Sequence, residues 1–201
     1  MPQLCCMHRL RHRRSGARRF WLGVVGAVLA GGLALRAEPD SSLELRVKAA
    51  FLYNFAKFVD WPAPALTNAG APFVISVLGD EPLAQVLGQT VKGKSIGNRT
   101  IQTRWITDMA QIGPCQILFI TRSETQKSKQ VADALGSANV LLVGESPCFL
   151  ASGGAINFTN FEGQVRFEVN TAAAERAGLK ISSKLLRLAT TVTPSPRRSD
   201  E

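Results

Sequence analysis

A chain of 201 residues is the size of a single domain and long enough to bury a sizeable core. Its formal net charge of +9 invites a nucleic-acid reading, yet residues 1–37 hold seven arginines (Arg9, Arg11, Arg13, Arg14, Arg18, Arg19 and Arg36) and no acid, leaving 17 of the 24 basic groups to face all 15 acidic ones. The remainder is therefore nearly neutral, which excludes a nucleic-acid partner; His8 and His12 also lie in the front stretch, which excludes Ser-His or Cys-His catalysis and most zinc sites from the rest.

Residues 1–37 read as a signal peptide, with a basic stretch from Arg9 to Arg19, an uncharged apolar run from Phe20 to Leu35 and small residues before Glu38-Pro39. The apolar run falls short of the about 20 residues that cross a bilayer, although an uncleaved anchor stays open on this pattern. Cleavage after Ala37 or after Ala34 suits the small-residue requirement. Arg18-Arg19-Phe20-Trp21-Leu22 loosely resembles a twin-arginine signal, so the export route also stays open. Cys5 and Cys6 leave with such a leader, and export makes a disulfide chemically possible for the remaining pair, Cys115 and Cys148.

Ser41 with Glu44 fits a capping box, and Val47, Phe51, Phe55, Phe58 and Val59 then mark the apolar face of a helix that Trp61-Pro62 ends. After a proline-rich loop, Phe73–Leu78 reads as a strand, with Gly79-Asp80 closing it and Asp80 capping a short helix over Glu81–Leu87. Arg99–Ile106 alternates as a strand with Ile101, Thr103 and Trp105 on one side and Gln102 and Arg104 on the other. Gln116–Ile120 is a short apolar strand; Ser123 with Gln126 fits a capping box for a helix ending near Gly136; Val140–Val143 is a further strand. Ala155–Phe158 and Val165–Val169 read as a hairpin joined by Asn160-Phe161-Glu162-Gly163. Helical pieces follow at Ala172–Ala177 and Ser183–Ala189, separated by Gly178, and Thr190–Glu201 is polar enough for a loose tail.

Short apolar strands alternating with helices predict an α/β fold, a three-layer sandwich with a mainly parallel sheet, a C-terminal β-hairpin and helices on both faces. Residues 38–189 form that domain, and 190–201 a flexible tail. Cys115 precedes one strand and Cys148 follows another. If those strands are parallel, the thiols sit at opposite ends of the sheet, too far apart to bond. An antiparallel arrangement would reverse that expectation.

Gly88-Gln89-Thr90-Val91-Lys92-Gly93-Lys94-Ser95 matches the pattern of a phosphate-binding loop. That chemistry needs a strand leading in and a helix leading out, so that backbone N–H groups converge on the phosphates. Here the pattern is helical before Gly88 and extended after Ser95, so Gly88, Gly93, Lys94 and Ser95 are read as a false match and a nucleotide hydrolase is ranked last. Asp80 and Glu81 are explained by a helix cap and a first-turn acid, and Ser152-Gly153-Gly154 lacks a base that could activate the serine. No cofactor and no metal site is expected. Tyr53, Lys57 and Trp61 recur every four residues along the first helix and form an aromatic and cationic stripe, suited either to gripping a partner or ligand or to serving as core edge with a snorkelling lysine.

Val47-Lys48-Ala49-Ala50-Phe51-Leu52-Tyr53-Asn54-Phe55-Ala56-Lys57-Phe58-Val59-Asp60-Trp61-Pro62 resembles the opening signature of YfiR-like proteins. The likeness continues through Val77-Leu78-Gly79-Asp80, Cys115–Ile120, Gly153–Phe158, Val165–Asn170 and Ala177–Leu186, and spans nearly all of residues 44–189. The resemblance implies a periplasmic, often dimeric protein without catalytic activity. Such a protein represses an inner-membrane diguanylate cyclase by binding its periplasmic sensor part, and an outer-membrane lipoprotein relieves the repression. The output is cyclic-di-GMP signalling and biofilm behaviour. The best-known relative resembled here carries two disulfides, one using the cysteine before the central apolar strand, so redox tuning is in doubt for a chain with only Cys115 and Cys148 after its leader. A periplasmic small-ligand-binding module is the alternative, with the stripe of Tyr53, Lys57 and Trp61 lining its pocket.

Overall fold

The computed structural model describes residues 41–66 and 70–193, so the leader expected over 1–37 and residues 194–201 of the expected tail lie outside the described residues. The elements run α1 (Ser41–Phe58), β1 (Val59–Asp60), β2 (Phe73–Leu78), α2 (Glu81–Val91), β3 (Ser95–Ile96), β4 (Arg99–Ile106) and β5 (Ile117–Ile120). They continue with α3 (Ser128–Leu135), β6 (Leu141–Gly144), β7 (Ile156–Phe161), β8 (Gln164–Asn170), α4 (Thr171–Arg176), β9 (Lys180–Ile181), α5 (Ser183–Leu186) and β10 (Thr191–Thr193). Eight strands form one sheet in the order β10-β8-β7-β6-β5-β2-β4-β3. Its centre, from β4 through β2, β5 and β6 to β7, is parallel, while β8 and β3 pair antiparallel with β7 and β4.

Strands covered on both faces must be apolar throughout, and all six residues of β2 and all four of β5 and of β6 are buried. Phe73, Ile75, Val77, Ile117, Phe119, Leu141 and Val143 join one core cluster with apolar residues of α1, α2, α4 and α5. Val74, Leu78, Leu118, Ile120 and Leu142 join a second with Val131 of α3 and with Phe149. The period of two in a strand thus divides the sheet between two cores, and the predicted three-layer α/β architecture holds. Phe51 and Phe55 of α1 seat the first core, their ring centroids 5.2–6.0 Å from those of Phe158 and Phe167. On the other face Phe149 fills the space left by two glycines; a Cβ on Gly144 or Gly154 would approach its ring to 2.3 or 2.1 Å.

The expected hairpin forms, but Asn160 and Phe161 of the expected connection pair within it, leaving only Glu162 (φ 52°) and Gly163 (φ 76°) as a two-residue turn. Four short strands escaped the sequence, among them β1, whose Val59 was expected to continue the first helix. β9 pairs with β1 in a separate two-stranded sheet, β3 pairs with β4, and β10 pairs parallel with β8, so the segment read as a loose tail begins inside the sheet. Strands of two or three residues carry no periodicity to read. No helix among the described residues is long and apolar enough to cross a membrane.

Cys115 lies just before β5 and Cys148 beyond β6, and because those strands are parallel the thiols occupy opposite ends of the sheet; neither is in a disulfide. Burial pushes the Cys115 thiol up, against the opposing pull of the Ser76 hydroxyl and the Arg104 charge. In a chain beginning at Glu38, a thiol reagent at mildly alkaline pH should therefore label half-buried Cys148 first and buried Cys115 far more slowly. Cys148→Ser should remove the faster phase, whereas two thiols reacting together in the native protein would contradict this placement.

Candidate functional site

The chain passes from β2 through α2 to β4 on one side, then returns across β2 to β5 on the other. α2 belongs to one core and α3, which follows β5, to the other. Connections therefore leave adjacent strands in opposite directions, and the carboxyl ends of β2 and β5 border a crevice, where open α/β sheets bind their ligands. A cleft of about 660 Å³ lies there, lined among others by Lys48, Asp80, Trp105, Thr121 and Glu145.

Its floor is a closed ring of hydrogen bonds joining two strand ends. The Asp80 N–H donates to Thr121 Oγ1 (3.3 Å), the Thr121 hydroxyl to Ser123 Oγ (2.8 Å), and the Ser123 hydroxyl to Asp80 Oδ1 (3.0 Å). Gly79 permits this closure: its φ is +112°, and a Cβ there would stand 2.0 Å from Thr121 Oγ1. Both capping expectations for these residues are thereby corrected. Asp80 makes no side-chain cap for α2 because its carboxylate receives Ser123. Ser123 and Gln126 lie within a 3₁₀ segment, Arg122–Lys127, that precedes α3, so no capping box forms there. The cap expected of Ser41 rests on a side chain outside the described set, while Glu44 pairs with Lys48.

One wall is an ion-pair triad centred on a buried lysine. Lys48 Nζ contacts Glu44 Oε1 at 2.5 Å and hydrogen-bonds Glu145 Oε2, while Glu145 Oε1 accepts from the Arg122 N–H at 3.2 Å. Burial disfavours the Lys48 ammonium, but Glu145 and Glu44 outweigh that cost and hold its pKa above the ordinary lysine value. The opposite wall is Trp105, 46% exposed, whose indole N–H donates to Gly79 O at 2.7 Å. That bond fixes the ring beside the cleft. Trp105 was expected on the same side of its strand as Ile101 and Thr103; it stands exposed because β4 is followed at its outer side only by the two-residue β3, which leaves its end uncovered.

The predicted stripe lies elsewhere, and none of its members lines this cleft. Trp61 donates its indole N–H to Ala56 O at 3.0 Å and meets Phe73 edge-on at 5.1 Å, so it braces the end of α1. Tyr53 instead receives two cations: the ammonium groups of Lys57 and Lys94 stand 5.5 and 4.6 Å from its ring centroid. Of the phosphate-loop look-alike, Gly88 lies inside α2, Gly93 in the turn after it and Ser95 in β3, so no helix N-terminus faces those residues. Among the described residues no group of three or more His, Cys, Asp or Glu could hold a metal ion. Sequence reasoning missed Lys48, Trp105, Thr121 and Ser123 as site residues.

The model of the YfiR/HmsC-like family matches residues 45–190. The chain belongs to the YfiR/HmsC-like family. No curated protein matches it. Among solved structures, a conserved domain protein from Vibrio cholerae O1 biovar El Tor is 11% identical with a TM-score of 0.49, covering 74% of this chain and 60% of its own. The ABC domain from Streptococcus pneumoniae in complex with L-Trp is 10% identical with a TM-score of 0.47, covering 60% and 55%. This family member therefore spans less than two thirds of either structure, and both likenesses are too remote to bear on its function.

Proposed function

We propose that the chain is a periplasmic, non-enzymatic regulator that binds the periplasmic part of an inner-membrane signalling protein, a diguanylate cyclase or a sensor kinase, with an outer-membrane lipoprotein as a competing binder. Family membership across residues 45–190 is the observation that carries this reading. The export pattern of residues 1–37 and the absence of histidine beyond His12 support it. Binding one sensor conformation shifts its population, and a competitor reverses the shift by mass action, so no reaction is needed. We place the partner contact on the surface formed by Tyr53 and Lys57 with Lys94 beside them, and expect the regulator to act as a homodimer. Lys57→Glu should cut recovery of the membrane partner at least about tenfold if Lys57 is a binding hot spot. Unchanged recovery would remove the stripe from the interface. Lys57 is the cleaner probe, since Trp61→Ala would also loosen the end of α1.

One observation favours a second reading, a small-ligand-binding module. The concave cleft at the switch point encloses about 660 Å³ and presents an exposed aromatic ring beside a few polar side chains, features common in ligand sites.

A further inference from the structure

We propose that the switch-point cleft takes an organic cation, a small molecule bearing an ammonium group that sits against the Trp105 ring and among the carboxylates. This deepens the second reading above and rests on it. The cleft is lined by Glu44, Asp80, Glu81 and Glu145 and by one cation, Lys48, giving a formal charge of −3. Lys48 is already engaged by Glu44 and Glu145, so it has no ammonium to offer an incoming anion. The N-termini of α1 and α2 bring the opposite sign, but each is worth only about +0.5 charge. The sum stays near −2, so an anion is repelled and a cation drawn in.

Aromatic chemistry points the same way. Trp105 spends its only donor on Gly79 O, which leaves its π-face as the recognising surface, and that face carries negative potential. Leu45, Pro82 and Leu83 supply the apolar remainder of the wall, suited to the methyl or methylene groups of such a ligand.

Calorimetry on the purified chain tests this with choline, with its uncharged carbon isostere 3,3-dimethylbutan-1-ol, with putrescine and with indole-3-acetate. Choline or putrescine should bind at least about tenfold tighter than the isostere and weaken as salt rises. Trp105→Ala should weaken the cation about fivefold or more while Trp105→Phe retains most of the affinity, and Asp80→Asn, at an exposed position, should weaken it without unfolding the domain. Binding of the isostere as tight as choline, or of indole-3-acetate alone, would overturn the cation while leaving a ligand module standing. No heat from any of the four would overturn both.

Discussion

Lys48→Met should lower the unfolding free energy by about 3–5 kcal/mol, because it leaves Glu145 charged, largely buried and without its cation. The side chains of Lys48 and Glu145 are only 10% and 13% exposed, so water replaces little of the lost interaction. For a domain of this size the loss corresponds to a fall in Tm of roughly 6–20 °C. Removing both charges is different. Lys48→Met with Glu145→Leu abolishes the stranded carboxylate and should recover most of the stability, since an apolar pair of similar volume often replaces a buried ion pair without cost. A double variant as unstable as the single one would mean that the triad is not the cause.

The same triad sets a dependence on pH. The Lys48 pKa is raised in the folded state above its ordinary value of 10.5. Its contribution is therefore fully present below the unfolded value and is lost only as pH climbs through the higher folded one. Denaturant melts should show the wild-type advantage over Lys48→Met unchanged by lysine titration at neutral pH and shrinking in strong alkali. An advantage that shrank as pH rose between 7 and 9 would contradict the direction of the shift.

Gly79→Ala should cost about 2–6 kcal/mol and open the cleft floor. Two effects add: a backbone at φ +112° that alanine adopts only with strain, about 1–3 kcal/mol, and a methyl group placed 2.0 Å from Thr121 Oγ1, about 1–3 kcal/mol. Thr121→Ala deletes the atom that is struck. In that background Gly79→Ala should retain only the strain, and the difference between the two costs measures the steric part. Equal costs in both backgrounds would mean that Thr121 is not what forces glycine at the end of β2.

Local chemistry made most of the fold readable. The apolar stripe of Val47, Phe51, Phe55 and Phe58 announced α1, the apolar runs Phe73–Leu78 and Gln116–Ile120 announced doubly covered strands, and Asn160-Phe161-Glu162-Gly163 announced the hairpin. The placement of Cys115 and Cys148 followed from parallel strands alone. The site was legible only in pieces, because its bonds are long-range: Ser123 reaches Asp80 across 43 residues and Lys48 reaches Glu145 across 97. Seen locally, Asp80 and Ser123 are good caps; in the fold each is claimed by the other. Glu145 carries no local signal of its role, since nothing near it in the chain supplies Lys48. Strand order was the missing quantity, for it decides which strand ends border the crevice.

The most direct measurement of the central claim is affinity recovery from solubilised membranes on the tagged, processed chain, with the captured proteins identified. The wild-type chain should recover an inner-membrane protein that joins a periplasmic sensor part to a cytoplasmic diguanylate cyclase or kinase part, and Lys57→Glu should deplete it. Recovery of no such membrane protein by a folded wild-type chain would contradict that claim.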